Sequence, residues 1–156
     1  MKKQNILITG AAGFIGFHLS LALLERNIEV IGIDNLSDYY DVNLKRKRHE
    51  ILHSCPNFSS CEGWLQNKDI FQTDCDKYNP NIIIHLAAQA GVRYSIFNPE
   101  TYFDNNLKGF FNILETCREN KIKHLIQLES YLNFLLVNDF AMKKPCLLYT
   151  SPSPRD

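Results

Sequence analysis

The sequence predicts an α/β fold: an open, doubly wound parallel sheet with helices on both sides, truncated after about its fifth strand. Three observations predict it. Short runs such as NILIT (5–9) and NIIIHLAA (81–88) are apolar at successive positions instead of alternating, as in strands buried on both faces. Stretches with apolar residues at helical spacing separate these runs. The two kinds of segment alternate along the chain, which is the pattern of a parallel sheet with helical crossovers.

The elements follow in order. NILIT is the first strand and leads into a glycine-rich turn. Phe14, Ile15, Leu19, Ala22, Leu23 and Leu24 then recur at helical spacing, and Asn27 is suited to end that helix in a left-handed conformation. EVIGID (29–34) is a second strand, followed by the polar turn NLSDYYD and a helix from about 42 to 52. Lys45, Arg46, Lys47 and Arg48 lie in that helix; consecutive residues point all around it, so the run reads as solvated surface and carries no site. Between 54 and 78 the pattern weakens, with NFSSCEGWL a short third strand and QNKDIFQTDCDKY a poor helix. NIIIHLAA is the fourth strand. NPETYFDNNLKGFFNILETCREN then reads as one helix started by Pro99, with Tyr102, Phe103, Leu107, Phe110, Leu114 and Cys117 on one face. KHLIQL supplies the fifth strand near 124–128.

With 156 residues, 45% of them hydrophobic, the chain has the size and composition of one globular domain or part of one. Lys and Arg number 17 and Asp and Glu 17, so no global field draws the chain to nucleic acid or to anionic lipid, and a small ligand is the better fit. Five cysteines, with no Cys-x-x-Cys spacing, argue against both a disulfide framework and a zinc site and favour reduced thiols in the cytoplasm. The N-terminal apolar run is too short for a secretory signal, and no stretch approaches a membrane span.

Function is concentrated in the glycine turn. GAAGFIG places Gly10, Gly13 and Gly16 between a strand and a helix, where the bare backbone approaches a pyrophosphate and the helix N-terminus offers free N–H groups. Asp34 ends the next strand, where its carboxylate accepts hydrogen bonds from an adenosine ribose. The pair reads as a dinucleotide site of Rossmann type, and the charge of Asp34 favours NAD over NADP because it repels a 2′-phosphate. A surface Asp in a turn is the competing reading.

ITGAAGFIGFHL, GIDNLSDYYD, IIHLAAQAGVRYS and NPETYFDNNLKGFFNILE together resemble the extended short-chain dehydrogenase/reductase family, and within it the UDP-glucuronate 4-epimerases, over about residues 3–126. The resemblance implies cofactor contacts from Gly10, Gly13, Phe14, Ile15 and Gly16, ribose contacts from Asp34 and Asn35, and a lining of Leu86, Ala87 and Ala88 at the phosphates and nicotinamide ribose. It implies a loop, QAGVRYS, beside a UDP-sugar site. There Arg93 is a candidate for an anionic group of the substrate, against a reading as a surface arginine, and Asn106 either organises the site or satisfies local backbone. His85, inside an apolar strand, reads as a hydrogen-bonded core residue. Gly63-Trp64 stands where relatives commonly carry Gly-Asp, which puts an adenine contact in doubt. Homodimerisation through helices is common among similar proteins.

The chemistry so implied is epimerisation through transient oxidation at C4 of a nucleotide sugar, with the Tyr of a Tyr-x-x-x-Lys motif as base and a Ser or Thr beside it. None of the seven tyrosines has lysine four residues on, and Ser130 lacks the surroundings of the family's serine, so no catalytic residue is assigned. Residues 1–126 read as the N-terminal part of an NAD-binding domain. Residues 127–145 diverge, as a frameshift or a chimeric join would, and CLLYTSPSPRD (146–156) resembles a sequencing-library adapter translated in frame. Two other readings stay open: another nucleotide-sugar enzyme of the family, a decarboxylase or 4,6-dehydratase, and a non-catalytic NAD-binding module.

Overall fold

The computed structural model describes residues 5–128; Ser130, the divergent segment beyond residue 128 and the adapter-like tail lie outside the described residues. Five parallel strands form one sheet in the order β3-β2-β1-β4-β5. They are β1 (Asn5–Thr9), β2 (Glu29–Asp34), β3 (Phe58–Glu62), β4 (Ile82–His85) and β5 (His124–Gln127). Register is continuous across the centre: Leu7 lies opposite Ile31 on one side and Ile83 on the other.

Because side chains alternate across a strand, β1 feeds two cores. Ile6 and Ile8 join Val30, Leu52, Phe58 and Ile84 on one face, covered by α1 (Phe14–Leu24) and α2 (Val42–His53). Leu7 joins Ile31, Ile33, Phe71, Cys75, Ile83 and Ile113 on the other, covered by α3 (Lys68–Tyr78) and α6 (Gly109–Glu119). The weak pattern between 54 and 78 thus resolves into β3 and α3. α3 has Asn67 as N-cap, accepting from the Ile70 N–H, and Asn79 as a left-handed C-cap. Asn27 is left-handed after α1, as its position predicts.

Three expectations are corrected. QAGVRYS is not all loop: α4 (Val92–Phe97) begins after Gly91. The single helix expected from Pro99 is three pieces, α5 (Pro99–Tyr102), a π-helical segment (Phe103–Lys108) and α6. The π turn inserts a residue into the helical period, so the buried face of α6 is Gly109, Asn112, Ile113 and Thr116, whereas Phe103 and Leu114 are exposed. The basic run of α2 is not uniformly solvated: Lys45 is buried, and its ammonium donates to the Ser37 carbonyl at 2.9 Å and the Ser37 hydroxyl at 3.0 Å. Among the described residues no helix is long and apolar enough to cross a membrane.

Candidate dinucleotide site

β1 sits between β2 and β4, so the turns leaving these three strands converge at one edge of the sheet, where an open α/β fold places its ligands. Gly10 leaves β1 with φ +75°, and its N–H donates to the Ile33 carbonyl at 2.7 Å. Gly13 caps α1 with no side-chain bond to the first turn, and Phe14 and Ile15 are exposed at that end. A Cβ on Gly16 would overlap the Gly10 carbonyl oxygen, so the turn folds tightly onto α1 only with glycine there.

Asp34 ties the turn to the end of β2. Its carboxylate accepts from the Ala12 N–H at 3.0 Å and from the Leu36 N–H at 2.9 Å. The third wall is the segment after β4. Thr9, fully buried at the end of β1, accepts from the Leu86 and Ala87 N–H groups, each at 3.2 Å, and its hydroxyl lies 2.7 Å from His85 Nδ1. An oxygen already accepting from two amides has its own proton to give, so His85 Nδ1 accepts and the ring proton is on Nε2. Burial holds the His85 pKa at about 4, consistent with that neutral ring, which stacks on Phe110 at 5.7 Å. His85 is therefore the hydrogen-bonded core residue its position suggests.

These three segments enclose a cavity of about 580 Å³, within the usual range for small-molecule sites. Gly10, Gly13, Phe14, Ile15 and Gly16 line it, with Asp34 and Asn35 on one side and Leu86, Ala87 and Ala88 on the other. The uncapped start of α1 and the glycine cradle give a pyrophosphate somewhere to sit, and the Asp34 carboxylate stands beside it, so the donor set fits a dinucleotide.

Arg93 and Asn106 are not part of that lining. Arg93 is exposed on α4. Asn106 holds the Gln89 peptide in both directions, accepting from its N–H at 2.7 Å and donating to its carbonyl at 3.1 Å. Gly63 lines the cavity, while Trp64 is exposed.

The sequence reading missed Lys45 and Arg48, which also face the cavity. Arg48 donates to the Ala12 carbonyl at 3.4 Å and lies 5.8 Å from the Phe14 ring centroid. The signal was present: Asp41, Lys45, Arg48 and the buried Leu52 follow one another at three- and four-residue intervals, a single helical stripe. Tyr39 and Tyr40, from the turn before α2, complete the mouth.

Comparison with known proteins matches residues 6–134 to the family described as NAD dependent epimerase/dehydratase family. The chain is 45% identical over 123 residues to a probable UDP-glucuronate 4-epimerase of Rhizobium meliloti (strain 1021), covering 79% of this chain and 36% of that protein. The structure of the Thermus thermophilus UDP-glucose 4-epimerase complexed with NAD superposes with a TM-score of 0.66 at 32% identity, over 78% of this chain and 36% of that one. Bifidobacterium longum UDP-glucose 4-epimerase, in complex with NAD+ and UDP, gives 0.70 at 27% identity, over 82% and 37%. The chain thus spans little more than a third of the length of these relatives.

Proposed function

The chain belongs to the NAD-dependent epimerase/dehydratase family, and from that premise we propose that it is the NAD-binding segment of a nucleotide-sugar 4-epimerase acting on UDP-glucuronate. One observation carries the cofactor reading: all ten residues picked out for the dinucleotide line a single cavity over the glycine turn. The substrate reading rests on the printed name of the Rhizobium meliloti relative, and the UDP-sugar reading also on the UDP bound in the Bifidobacterium longum structure.

Residues 1–126 carry the role, and we assign none to 127–156. The start of α1 receives the pyrophosphate, and Asp34 the adenosine ribose. Leu86, Ala87 and Ala88 present a small, apolar wall on the nicotinamide side. When bound, NAD supplies a hydride acceptor and donor for the sugar C4. Asn106 acts through the Gln89 peptide as a positioning residue, and Arg93 is the candidate partner of a substrate anion.

The test uses the complete gene product that carries this segment. It is expected to convert UDP-glucuronate to UDP-galacturonate, followed by chromatography of the sugar nucleotides, and to bind NAD at least tenfold more tightly than NADP. Tighter binding of NADP overturns the Asp34 assignment. Conversion of UDP-glucose with no turnover of UDP-glucuronate overturns the substrate.

A further inference from the structure

The turns after β2 and β4 flank the glycine turn, two strand spacings apart, a gap of roughly 10 Å. The Tyr39 side chain crosses it. Tyr39, from the turn after β2, packs against Tyr94 of α4 with ring centroids 4.9 Å apart, and its hydroxyl lies over the α-carbon of Gly91. A Cβ at Gly91 would occupy the place of that hydroxyl, and Gly91 has φ +100°, so glycine alone both takes this backbone shape and admits the tyrosine. The opposite side of the contact is also held: the Tyr102 hydroxyl donates to the Gly91 carbonyl. Tyr40 packs edge-on against Tyr39 at 4.7 Å, and both rings line the cavity.

We propose that Tyr39, seated on Gly91 and backed by Tyr94 and Tyr102, is a clasp across the cavity mouth that limits the rate at which a bound dinucleotide leaves. The inference rests on the reading of the cavity as a dinucleotide site. Tyr39 and the glycine turn line one cavity, so on this proposal a ligand held on that turn leaves when the bridge opens. Opening separates aromatic pairs, and such pairs hold by more than the area they bury. The clasp therefore acts chiefly on the release rate, whereas the residues of the glycine turn determine whether the dinucleotide binds at all.

The experiment measures NADH release from the complete gene product by fluorescence, chasing with excess NAD, for the native protein and for Tyr39→Ala, Tyr102→Phe and the double variant. Release is expected to be at least tenfold faster in Tyr39→Ala and severalfold faster in Tyr102→Phe, with association rates within about twofold of native. Because both residues act on one contact, the double variant is expected to match Tyr39→Ala and not the product of the two effects. Melting of the nucleotide-free proteins separates this from general unfolding, and the conservative Tyr102→Phe keeps the test alive should Tyr39→Ala fold poorly. Native binding with unchanged release in the variants overturns the clasp alone. Failure of the native protein to bind NADH overturns the cavity reading and the clasp with it.

Discussion

A methyl group on Gly10 would stand 2.9 Å from the Ala87 nitrogen, on a backbone already at φ +75°. That single absence lets the backbone of Leu86 and Ala87, after β4, close on the glycine turn. His85, one strand position away, shows how burial sets charge. Its folded pKa is about 4, against an ordinary value of 6.5, because desolvation penalises the imidazolium. Between those values the unfolded chain binds a proton that the folded one does not, so acid favours unfolding. The stability is intact above about pH 6.5 and erodes progressively as the pH falls toward 4. Urea unfolding at pH 7.5 and pH 5 is expected to show a loss of about 2 kcal/mol from this residue, and His85→Asn is expected to flatten the difference. An equally steep pH dependence in the variant would assign the effect to other groups.

At the level of elements, the site depends on how β1 and β4 end together. The Thr9 hydroxyl serves two amides and one imidazole, and the two amides belong to the wall of the cavity. Thr9→Val keeps the volume and leaves the Leu86 N–H its bond to the Thr9 carbonyl, but strands the Ala87 N–H and His85 Nδ1, so it is expected to cost about 2 kcal/mol in chemical unfolding and to weaken NAD binding measured by titration. Unchanged binding would mean that Gly10 and Asn106 position the wall without it. The lining of the cavity over the glycine turn was legible in the sequence because it is local and backbone-determined: glycines between a strand and a helix, an acid at the end of the next strand. Lys45 was not, because four adjacent cations conceal which one shares the stripe of Leu52. The face of α6 was misread for a different reason. A helical wheel presumes one period throughout, and the π turn before Gly109 shifts it. Asn112, polar and excluded from any apolar stripe, is buried because its amide donates to the Leu65 carbonyl at 2.8 Å. The Tyr39 contact on Gly91 joins turns 52 residues apart, and no local pattern announces it.

Across the whole molecule, burial is uneven. The centre of the sheet is covered on both faces, with Leu7 and Ile8 wholly inaccessible, while β5, one of the two end strands in the order among the described residues, alternates exposed and half-buried positions. Ile126, opposite Ile84 on the sheet face that α1 and α2 cover, is 52% exposed and Leu128 41%, while Phe103 and Phe111, on the helical stretch that covers the other face, are each 60% exposed. A parallel strand of this fold is ordinarily covered on both faces, so the exposed positions of β5 present apolar area that water does not favour. The 156-residue chain on its own is therefore expected to self-associate, with an average mass by light scattering that rises with concentration. Ile126→Lys, which adds charge on the edge, is expected to reduce that association, and an edge-driven contact should respond more to it than to Phe103→Lys. A monodisperse preparation that melts in one cooperative transition would show that the exposed area is too small, or too well spaced by polar neighbours, to drive assembly.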